Sequence, residues 1–283
     1  MEQKKTQITI AFPTDRLISG ERFSVVLDRQ RGIAQTVPFP PAEKRSSYYA
    51  SEDYISHTNR KESLSDHLYG LVQKLMFFQK KRWLLPYWKT QATYLDYGCG
   101  TGAFVRYLNL QNVRAFGVEP NQKARKRFNQ QQVVKASLDQ ISQGCFQTIA
   151  LWHVLEHLPA PEKTLRSLLE RLSHGGALFL ALPNFMCWDA KYYGDDWAAY
   201  DVPRHLWHFS PVGIQTLCES LGLRLVKKRP LLFDAFYVSY LSEKNKGKRL
   251  PLLRGFCVGF ISNVMGCLSK NFSSHIYVFS KAN

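Results

Sequence analysis

The stretch Tyr94-Leu-Asp-Tyr-Gly-Cys-Gly-Thr-Gly102 decides the fold of this 283-residue chain. Residues 92–97 are a short apolar run typical of a buried strand, and residues 103–110 are spaced as an amphipathic helix. Three glycines alternate between the two elements: Gly98, Gly100 and Gly102. Glycine lets the backbone turn sharply and lets a ligand approach it closely. A strand, a glycine turn and a helix in this order predict a cofactor cradle more strongly than a plain tight turn.

The acid before the turn distinguishes two classes of cofactor. The dinucleotide pattern is formally met by Gly98, Gly100 and Ala103. The pattern for S-adenosylmethionine is Asp96 followed by Gly-x-Gly-x-Gly. A dinucleotide would bring an anionic pyrophosphate to the turn, where the Asp96 carboxylate repels it, whereas the ammonium and sulfonium of S-adenosylmethionine are attracted. Glu119 ends the next predicted strand and can accept hydrogen bonds from the ribose hydroxyls of either cofactor.

Composition describes a folded, basic chain. Hydrophobic residues make up 45% of it, which excludes a globally disordered protein. The formal net charge of +16 is compatible with nucleic acid, an anionic membrane, an acidic substrate or a merely basic surface. The six cysteines contain no CxxC pair, and the polar N-terminal residues contain no secretory signal. We therefore expect a cytoplasmic protein with free thiols.

Strands and helices alternate after the glycine turn, which predicts a parallel sheet covered on both faces, an α/β fold. Pro183–Phe209 is rich in aromatic residues and reads as an irregular functional insertion. We expect a small β-rich lobe and one larger domain. Their predicted bounds are 1–47 for the lobe and 48–283 for the domain, with a cap helix 63–85, a cofactor-binding core 92–182, the insertion 183–209 and a C-terminal part 210–283.

Residues 250–269 are apolar but interrupted by Pro251, Arg254, Asn263 and several glycines. A membrane span needs about 20 mainly apolar residues, so these interruptions disfavour one. We predict a helix docked on the core, in preference to a helix lying on a membrane, and no transmembrane segment.

Four motifs resemble, in the right order, those of class I S-adenosylmethionine-dependent methyltransferases. They are Leu95–Gly102, Gly117–Asn121, Leu151–Pro159 and Gly175–Asn184. Two flanking segments, Tyr48–His57 and Asp201–Ser210, are similar to those of a bacterial group of methyltransferases, types 11 and 23. The resemblance implies a Rossmann-like, doubly wound sheet of seven strands, mostly parallel with one antiparallel strand near the edge, and a small N-terminal appendage.

The resemblance also implies which residues bind the cofactor. Asp96 and the glycines would contact the methionine half, Glu119 the ribose and, less firmly, Leu138 the adenine. The full predicted set is Asp96, Gly98, Cys99, Gly100, Gly102, Glu119, Pro120, Leu138, Trp152 and His153. One departure concerns the N-terminal lobe, because relatives often begin with a four-cysteine zinc ribbon and this chain has Asp28–Gly32 without thiols. We expect that lobe to be metal-free.

Histidines are the predicted catalytic residues, since an oxygen or nitrogen acceptor can need a base with a pKa near neutrality. The candidates are His153, His205 and His208, with His157 read as structural. For His205 and His208 the alternative is a structural role, in which their hydrogen bonds only hold the insertion in place. The predicted substrate-binding residues are Tyr54, His57, Trp197 and Arg204.

The run His153-x-x-Glu156-His157 resembles the Glu-x-x-Glu-His metal motif of small-RNA 2′-O-methyltransferases and some quinone O-methyltransferases. Residues three and four apart share a helix face, so a divalent ion is geometrically possible. Because His153 replaces the first glutamate, we assign no metal.

These observations predict methyl transfer from S-adenosylmethionine to a small or medium acceptor, at oxygen. The aromatic insertion suits a planar small molecule, a sugar-linked molecule or a lipidic one. Two alternatives stay open: an RNA methyltransferase with a basic surface, and a non-catalytic protein that keeps the cofactor fold.

Overall fold

The computed structural model describes residues 6–49, 64–88, 92–126, 133–142 and 144–281, without side chains for 64–72. Its larger sheet has seven strands in the order β10-β11-β8-β7-β4-β5-β6. Their bounds are β4 Thr93–Tyr97, β5 Arg114–Val118, β6 Val134–Lys135, β7 Phe146–Trp152, β8 Leu172–Pro183, β10 Leu223–Pro230 and β11 Ser274–Lys281. All neighbours pair in parallel except β11, which is antiparallel to both β8 and β10. This confirms the predicted fold class.

Helices cover both faces of this sheet. The helices are α1 Ala42–Arg45, α2 Leu64–Leu84, α3 Ala103–Asn109, α4 Gln122–Lys126, α5 Pro161–Glu170, α6 Trp188–Tyr193, α7 Pro211–Ser220, α8 Leu232–Asn245 and α9 Pro251–Ser269. Side chains alternate along β4, so Leu95 packs with α5 and α7, whereas Tyr94 packs with α2 and α3. The sheet therefore has a buried core on each side, as a doubly wound fold requires.

A second, smaller sheet is antiparallel throughout, in the order β1-β2-β3-β9. Its strands are β1 Gln7–Ala11, β2 Ser24–Asp28, β3 Ile33–Val37 and β9 Trp207–Phe209. The first three come from the N-terminal residues, but β9 comes from the stretch that we predicted to be irregular. That prediction was wrong, because 183–209 contains α6 and β9. By pairing with β3, β9 ties the N-terminal strands to the rest of the chain.

The Gly175-Gly176 pair lies inside β8 and does not separate it from the preceding helix. A Cβ on Gly176 would sit 2.9 Å from the Gln147 carbonyl oxygen, so glycine permits the close approach of the two strands there. The helix itself ends at Glu170, and β8 begins two residues later at Leu172.

The glycines of the C-terminal apolar segment also act differently from the prediction. α9 runs unbroken over Pro251–Ser269 and packs antiparallel to α8. Cβ atoms on Gly255 and Gly259 would lie 2.5 and 2.7 Å from the Cα atoms of Tyr240 and Phe236, so both glycines allow close helix packing. α9 docks on α8 through this side, while its bulky side chains stay exposed. In the described part of the chain, α9 alone is long and apolar enough to cross a membrane.

Candidate active site

The glycine turn after β4 opens at the carboxyl ends of the parallel strands, where ligands bind in open α/β sheets. Gly98, Gly100 and Gly102 have φ values of +76°, +56° and +75°, a region that other residues rarely adopt. A Cβ on Gly98 would lie 2.5 Å from Val154, so this glycine is needed for packing. A Cβ on Gly100 would meet nothing within 4 Å, so this glycine faces open space. The turn is therefore packed on one side and accessible on the other.

Glu119 holds the turn from the next strand. Its carboxylate accepts hydrogen bonds of 2.9 Å from the backbone N–H groups of Gly100 and Asn121. Each carboxylate oxygen has a second lone pair, so Glu119 can still accept from a ligand hydroxyl. Pro120 follows it in an exposed position, and Leu138 begins a short 3-10 helix after β6.

Cys99 packs behind the turn. A Cβ on Gly117 would meet its Sγ at 2.5 Å, so β5 needs glycine where the thiol rests. Burial raises the pKa of the Cys99 thiol, which keeps it protonated and inert.

Asp96 and Lys80 bring opposite charges to the crevice beside the turn. Burial raises the pKa of Asp96 to about 7, and the nearby Lys80 counteracts part of that rise. Burial lowers the pKa of Lys80, whose ammonium lies 4.4 Å from the centre of the Trp152 ring. Trp152 is fixed in turn, because its indole N–H donates to the Tyr94 hydroxyl at 2.9 Å. Lys80 comes from α2, so that helix contributes to the site.

These charges fit S-adenosylmethionine better than a dinucleotide. The negative charge of Glu119 contributes to the raised pKa of Asp96, so the two carboxylates lie close enough to repel each other. A cationic ligand would relieve this repulsion, and an anionic pyrophosphate would increase it. The amino-acid end of S-adenosylmethionine has both an ammonium and a carboxylate, which match Asp96 and Lys80.

His153 directly follows β7 and has a φ of +56°, a strained conformation for a histidine. Its Nε2 lies 3.1 Å from Oδ2 of Asp234, and its Nδ1 lies 3.5 Å from Oε1 of Glu156. Burial alone would lower the pKa of His153, but the two carboxylates outweigh it and raise that pKa to about 10. The side chain is 38% exposed, so solvent screens both pairs. With this raised pKa, His153 is an imidazolium near neutral pH, and its exposed side can be reached by an acceptor.

Glu156, His157 and His205 form a second cluster, with one ligand-type atom from each within 4.8 Å of the others. Glu156 is 1% exposed, and among the described residues neither carboxylate oxygen has a hydrogen-bond partner. Nδ1 of His157 is 3.0 Å from the Arg204 carbonyl, and Nδ1 of His205 is 2.8 Å from the Ala199 carbonyl. Each Nδ1 therefore donates, and in a neutral ring the lone pair then lies on Nε2.

Such a set could hold a divalent ion, since metal-binding histidines commonly donate their other N–H to a carbonyl. Burial lowers the pKa of His157 to about 4, so this ring is neutral at pH 7, as a ligand must be. Our assignment of no metal stays a prediction. The third residue of the cluster is His205 and not His153, which the sequence spacing did not indicate.

The remaining predicted site residues that the structure describes are deeply buried. His208 is 5% exposed and its Nε2 lies 3.0 Å from the Thr36 hydroxyl of β3. Burial lowers the pKa of His208 to about 3. Trp197 is 2% exposed and donates its indole N–H to Asp189 at 2.9 Å.

The Arg204 side chain is 2% exposed and pairs with Asp15 at 3.1 Å and Asp201 at 2.7 Å. It also donates to the Tyr48 carbonyl. These contacts join the N-terminal strands to the insertion. The catalytic roles of His205 and His208 and the substrate-binding roles of Trp197 and Arg204 stay predictions, and Tyr54 and His57 lie outside the described residues.

A family model described as a methyltransferase domain, Methyltransf_23, matches residues 71–228, which is more than half of the chain. The chain belongs to this methyltransferase family. This methyltransferase is therefore an enzyme, and S-adenosylmethionine is its cofactor. Comparison with curated proteins gave no match.

Solved structures are similar in fold at low sequence identity. Magnesium protoporphyrin IX methyltransferase from Synechocystis PCC 6803, with bound S-adenosylhomocysteine, is 11% identical with a TM-score of 0.50, and the match covers 83% of this chain and 97% of that one. An S-adenosylmethionine-dependent methyltransferase from Archaeoglobus fulgidus is 19% identical with a TM-score of 0.48, and the match covers 74% of this chain and 94% of that one. The first of these supports the methyltransferase fold.

Proposed function

We propose that this methyltransferase transfers the methyl group to a hydroxyl oxygen of a small or medium acceptor, with His153 as the general base. The position of His153 carries the proposal. It follows β7, the neighbour of the strand that bears Asp96, and it is half exposed beside the carboxylate of Asp234. A hydroxyl acceptor must lose a proton, and an imidazole within reach can take it.

The cofactor-binding roles follow from the charges and positions around the turn. Asp96 would hold the ammonium of the cofactor and Lys80 its carboxylate. Glu119 would accept hydrogen bonds from the ribose hydroxyls, while Leu138 and Trp152 would flank the bound molecule. When bound, S-adenosylmethionine supplies an activated methyl group, which the acceptor oxygen gains while the electron pair of the broken C–S bond stays on sulfur.

The acceptor proton would pass to Nε2 of His153. Because its pKa is raised, His153 must first release a proton to solvent, and Asp234 then stabilises the imidazolium that forms in the reaction. A base with a raised pKa accepts a proton strongly once it is neutral. The chain would act in the cytoplasm, which its six free cysteines support.

Methyl transfer from labelled cofactor to fractions of a cell extract tests this function. We expect wild-type protein and His174→Ala, an exposed histidine on β8, to label the same acceptor. His153→Ala should lower the rate by about 10²-fold or more, the usual contribution of a general base, without loss of cofactor binding. Full activity of His153→Ala on that acceptor would refute the base role.

An RNA acceptor is the second candidate, and the net charge of +16 favours it. Binding of RNA through phosphates would weaken steeply as salt increases. Labelling of an RNA fraction, with loss of that labelling between 50 and 200 mM salt, would favour this candidate over a small acceptor.

A further inference from the structure

The helical hairpin of α8 and α9 buries its small residues and exposes its large ones. The buried positions of α9 are Gly255, Val258, Gly259, Ser262 and Gly266. The exposed large apolar residues of α9 are Leu252, Leu253, Phe256, Phe260, Ile261, Val264 and Leu268, each 45–76% exposed. A helix on the surface of a water-soluble domain normally has the opposite pattern, with its bulky apolar side chains facing the core. Small residues at a helix contact are typical of helices packed in or on lipid.

α8 extends the same exposed surface. Phe233 is 64% exposed and Tyr237 is 50% exposed. Phe236 of α8 stacks on Phe256 of α9 with ring centroids 5.2 Å apart, so the two helices present one continuous apolar face. Single exposed apolar residues are common on protein surfaces, but a contiguous apolar patch of this kind marks an interaction site.

Polar contacts fix α9 along the protein surface. Ser262 donates to Oδ1 of the buried Asp189 at 2.7 Å, and Arg254 donates to Glu243 of α8 at 2.7 Å. Asn263 donates to the carbonyl of Leu232 at 3.0 Å, near the other end of the hairpin. If α9 left the domain to cross a bilayer, it would have to give up the contact of Ser262 with Asp189 of α6, and without α8 it would lose the other two as well. The helix has the length and composition of a membrane span, but these hydrogen bonds hold it along the surface of the protein.

The charge around the hairpin identifies the surface that it fits. Residues 224–270 contain ten Lys or Arg and only two acids. Both acids are already paired, Glu243 with Arg254 and Asp234 with His153. Lys248 and Arg249 are exposed at the hairpin turn, directly beside the apolar face. An exposed apolar face flanked by basic residues matches an anionic lipid surface. The apolar side chains can enter the boundary between head groups and acyl chains, and the basic side chains are attracted to the anionic head groups.

We propose that the α8–α9 hairpin docks on an anionic phospholipid membrane, with its apolar face in the head-group region and α9 parallel to the bilayer. Asp234, which contacts His153, lies in the first turn of α8. Docking therefore brings the candidate active site close to the lipid surface. If the proposed function holds, the acceptor class that this arrangement serves is an amphiphile whose hydroxyl-bearing head group lies at that surface.

Vesicle flotation of the full chain tests the docking without requiring activity. The probes are vesicles of phosphatidylcholine with phosphatidylglycerol, and vesicles of phosphatidylcholine alone. We expect binding to the anionic vesicles, and roughly 30-fold weaker binding of Leu253→Asp/Phe260→Asp, since two large apolar contacts are lost. The matched control Leu110→Asp/Val212→Asp replaces two residues that are each 70% exposed outside the hairpin and should bind as wild type does.

A charge variant tests the choice of lipid. Lys248→Gln/Arg249→Gln should weaken binding to anionic vesicles roughly 10- to 30-fold, whereas Lys44→Gln/Lys163→Gln, two exposed lysines elsewhere, should have a much smaller effect. Equal binding to both kinds of vesicle would overturn the anionic choice. Cofactor affinity of every variant, measured by calorimetry, should equal that of wild type. Failure of the wild-type protein itself to bind S-adenosylmethionine would refute the proposed function and not the docking.

Three results would overturn the docking itself. The first is no binding of wild-type protein to anionic vesicles. The second is a dimer in light scattering that Leu253→Asp/Phe260→Asp dissociates, which would make the apolar face a contact between two copies of the chain. The third is protein that alkaline carbonate cannot release from the vesicles, which would indicate a spanning helix.

Discussion

Nε2 of His153 lies 3.1 Å from Oδ2 of Asp234, so the end of β7 meets the first turn of α8. Glu156 approaches the other ring nitrogen, and the two carboxylates raise the pKa of His153 to about 10 against the opposing effect of burial. This contact connects the sheet that bears the glycine turn with the hairpin that carries the apolar face. It also makes the charge of the candidate base depend on a residue distant in sequence.

The pH profile of the reaction should report this contact. A base must be neutral to act, so we expect kcat/KM to rise with pH and to level off above the ordinary histidine value of about 6.5. Asp234→Asn removes a cause that raises the pKa of His153, so the rise should move to lower pH by about one unit or more. Glu162→Gln removes an exposed pair with Arg166 and is the control. An unmoved profile in Asp234→Asn would count against His153 as the base.

Cofactor binding should depend on the ionisation of Asp96. Because the pKa of Asp96 is raised to about 7, its carboxylate forms as the pH rises through that value. The affinity for S-adenosylmethionine should therefore increase between pH 6 and 8, by up to about tenfold per pH unit below the pKa. Calorimetry of Asp96→Asn should show weak binding that changes little with pH. The same pH dependence in Asp96→Asn and in wild type would show that another group controls binding.

Three glycine variants separate stability from cofactor binding. Gly98→Ala places a Cβ 2.5 Å from Val154 and should lower the free energy of unfolding by about 2 kcal/mol or more. Gly100→Ala meets no protein atom within 4 Å and should lose mainly cofactor affinity. Gly20→Ala has a similar φ of +69° and equally open surroundings in the N-terminal residues, so it is the control for backbone strain alone. Equal cofactor affinity in Gly20→Ala and Gly100→Ala would place the cofactor elsewhere.

Arg204→Met tests whether the buried arginine is structural. It leaves Asp15 and Asp201 without their buried partner, which should cost about 3–5 kcal/mol in the free energy of unfolding. The exposed pair of Arg166 with Glu162 gives the control, and Arg166→Ala should cost less than about 1 kcal/mol by denaturant titration. Unchanged stability of Arg204→Met together with a raised KM for the acceptor would favour the predicted substrate-binding role instead.

Chelation tests the assignment of no metal. We expect protein dialysed against EDTA to keep its activity, with the charge of Glu156 balanced by the protonated His153. Titration of Zn²⁺ or Mn²⁺ should then show no tighter binding to wild type than to Glu156→Gln. Loss of activity on chelation that the added ion restores would instead assign the Glu156, His157 and His205 cluster to a metal.

The parts of the site that are local in sequence were predictable. Asp96, the glycine turn and Glu119 fall within one βαβ unit, whose spacing fixes which side chains meet at the strand ends. Lys80 and Asp234 reach the same crevice from α2 and α8, and no spacing rule links them to β4 or β7. Similarly, Glu156 meets His205 only because the insertion folds back onto β3 through β9.

The helix predicted within residues 250–269 is present as α9, but the reading of its glycines as interruptions was wrong for a physical reason. Glycines inside a helix cost stability, so Gly255 and Gly259 read as interruptions. Packed against α8, they allow backbones to approach closely enough to offset that cost. The segment therefore forms one long helix with an exposed apolar face. Composition alone could not show which side of this helix would be buried.

We propose that methyl transfer to a hydroxyl oxygen takes place in the crevice between Asp96 and His153. The most direct measurement is incubation with S-adenosylmethionine labelled with ¹³C at the methyl group, followed by NMR of the isolated product. We expect a ¹³C methoxy signal with wild-type protein, none with Asp96→Ala and a strongly reduced one with His153→Ala. A labelled methyl group on nitrogen or carbon, or a product formed equally well by Asp96→Ala, would contradict it.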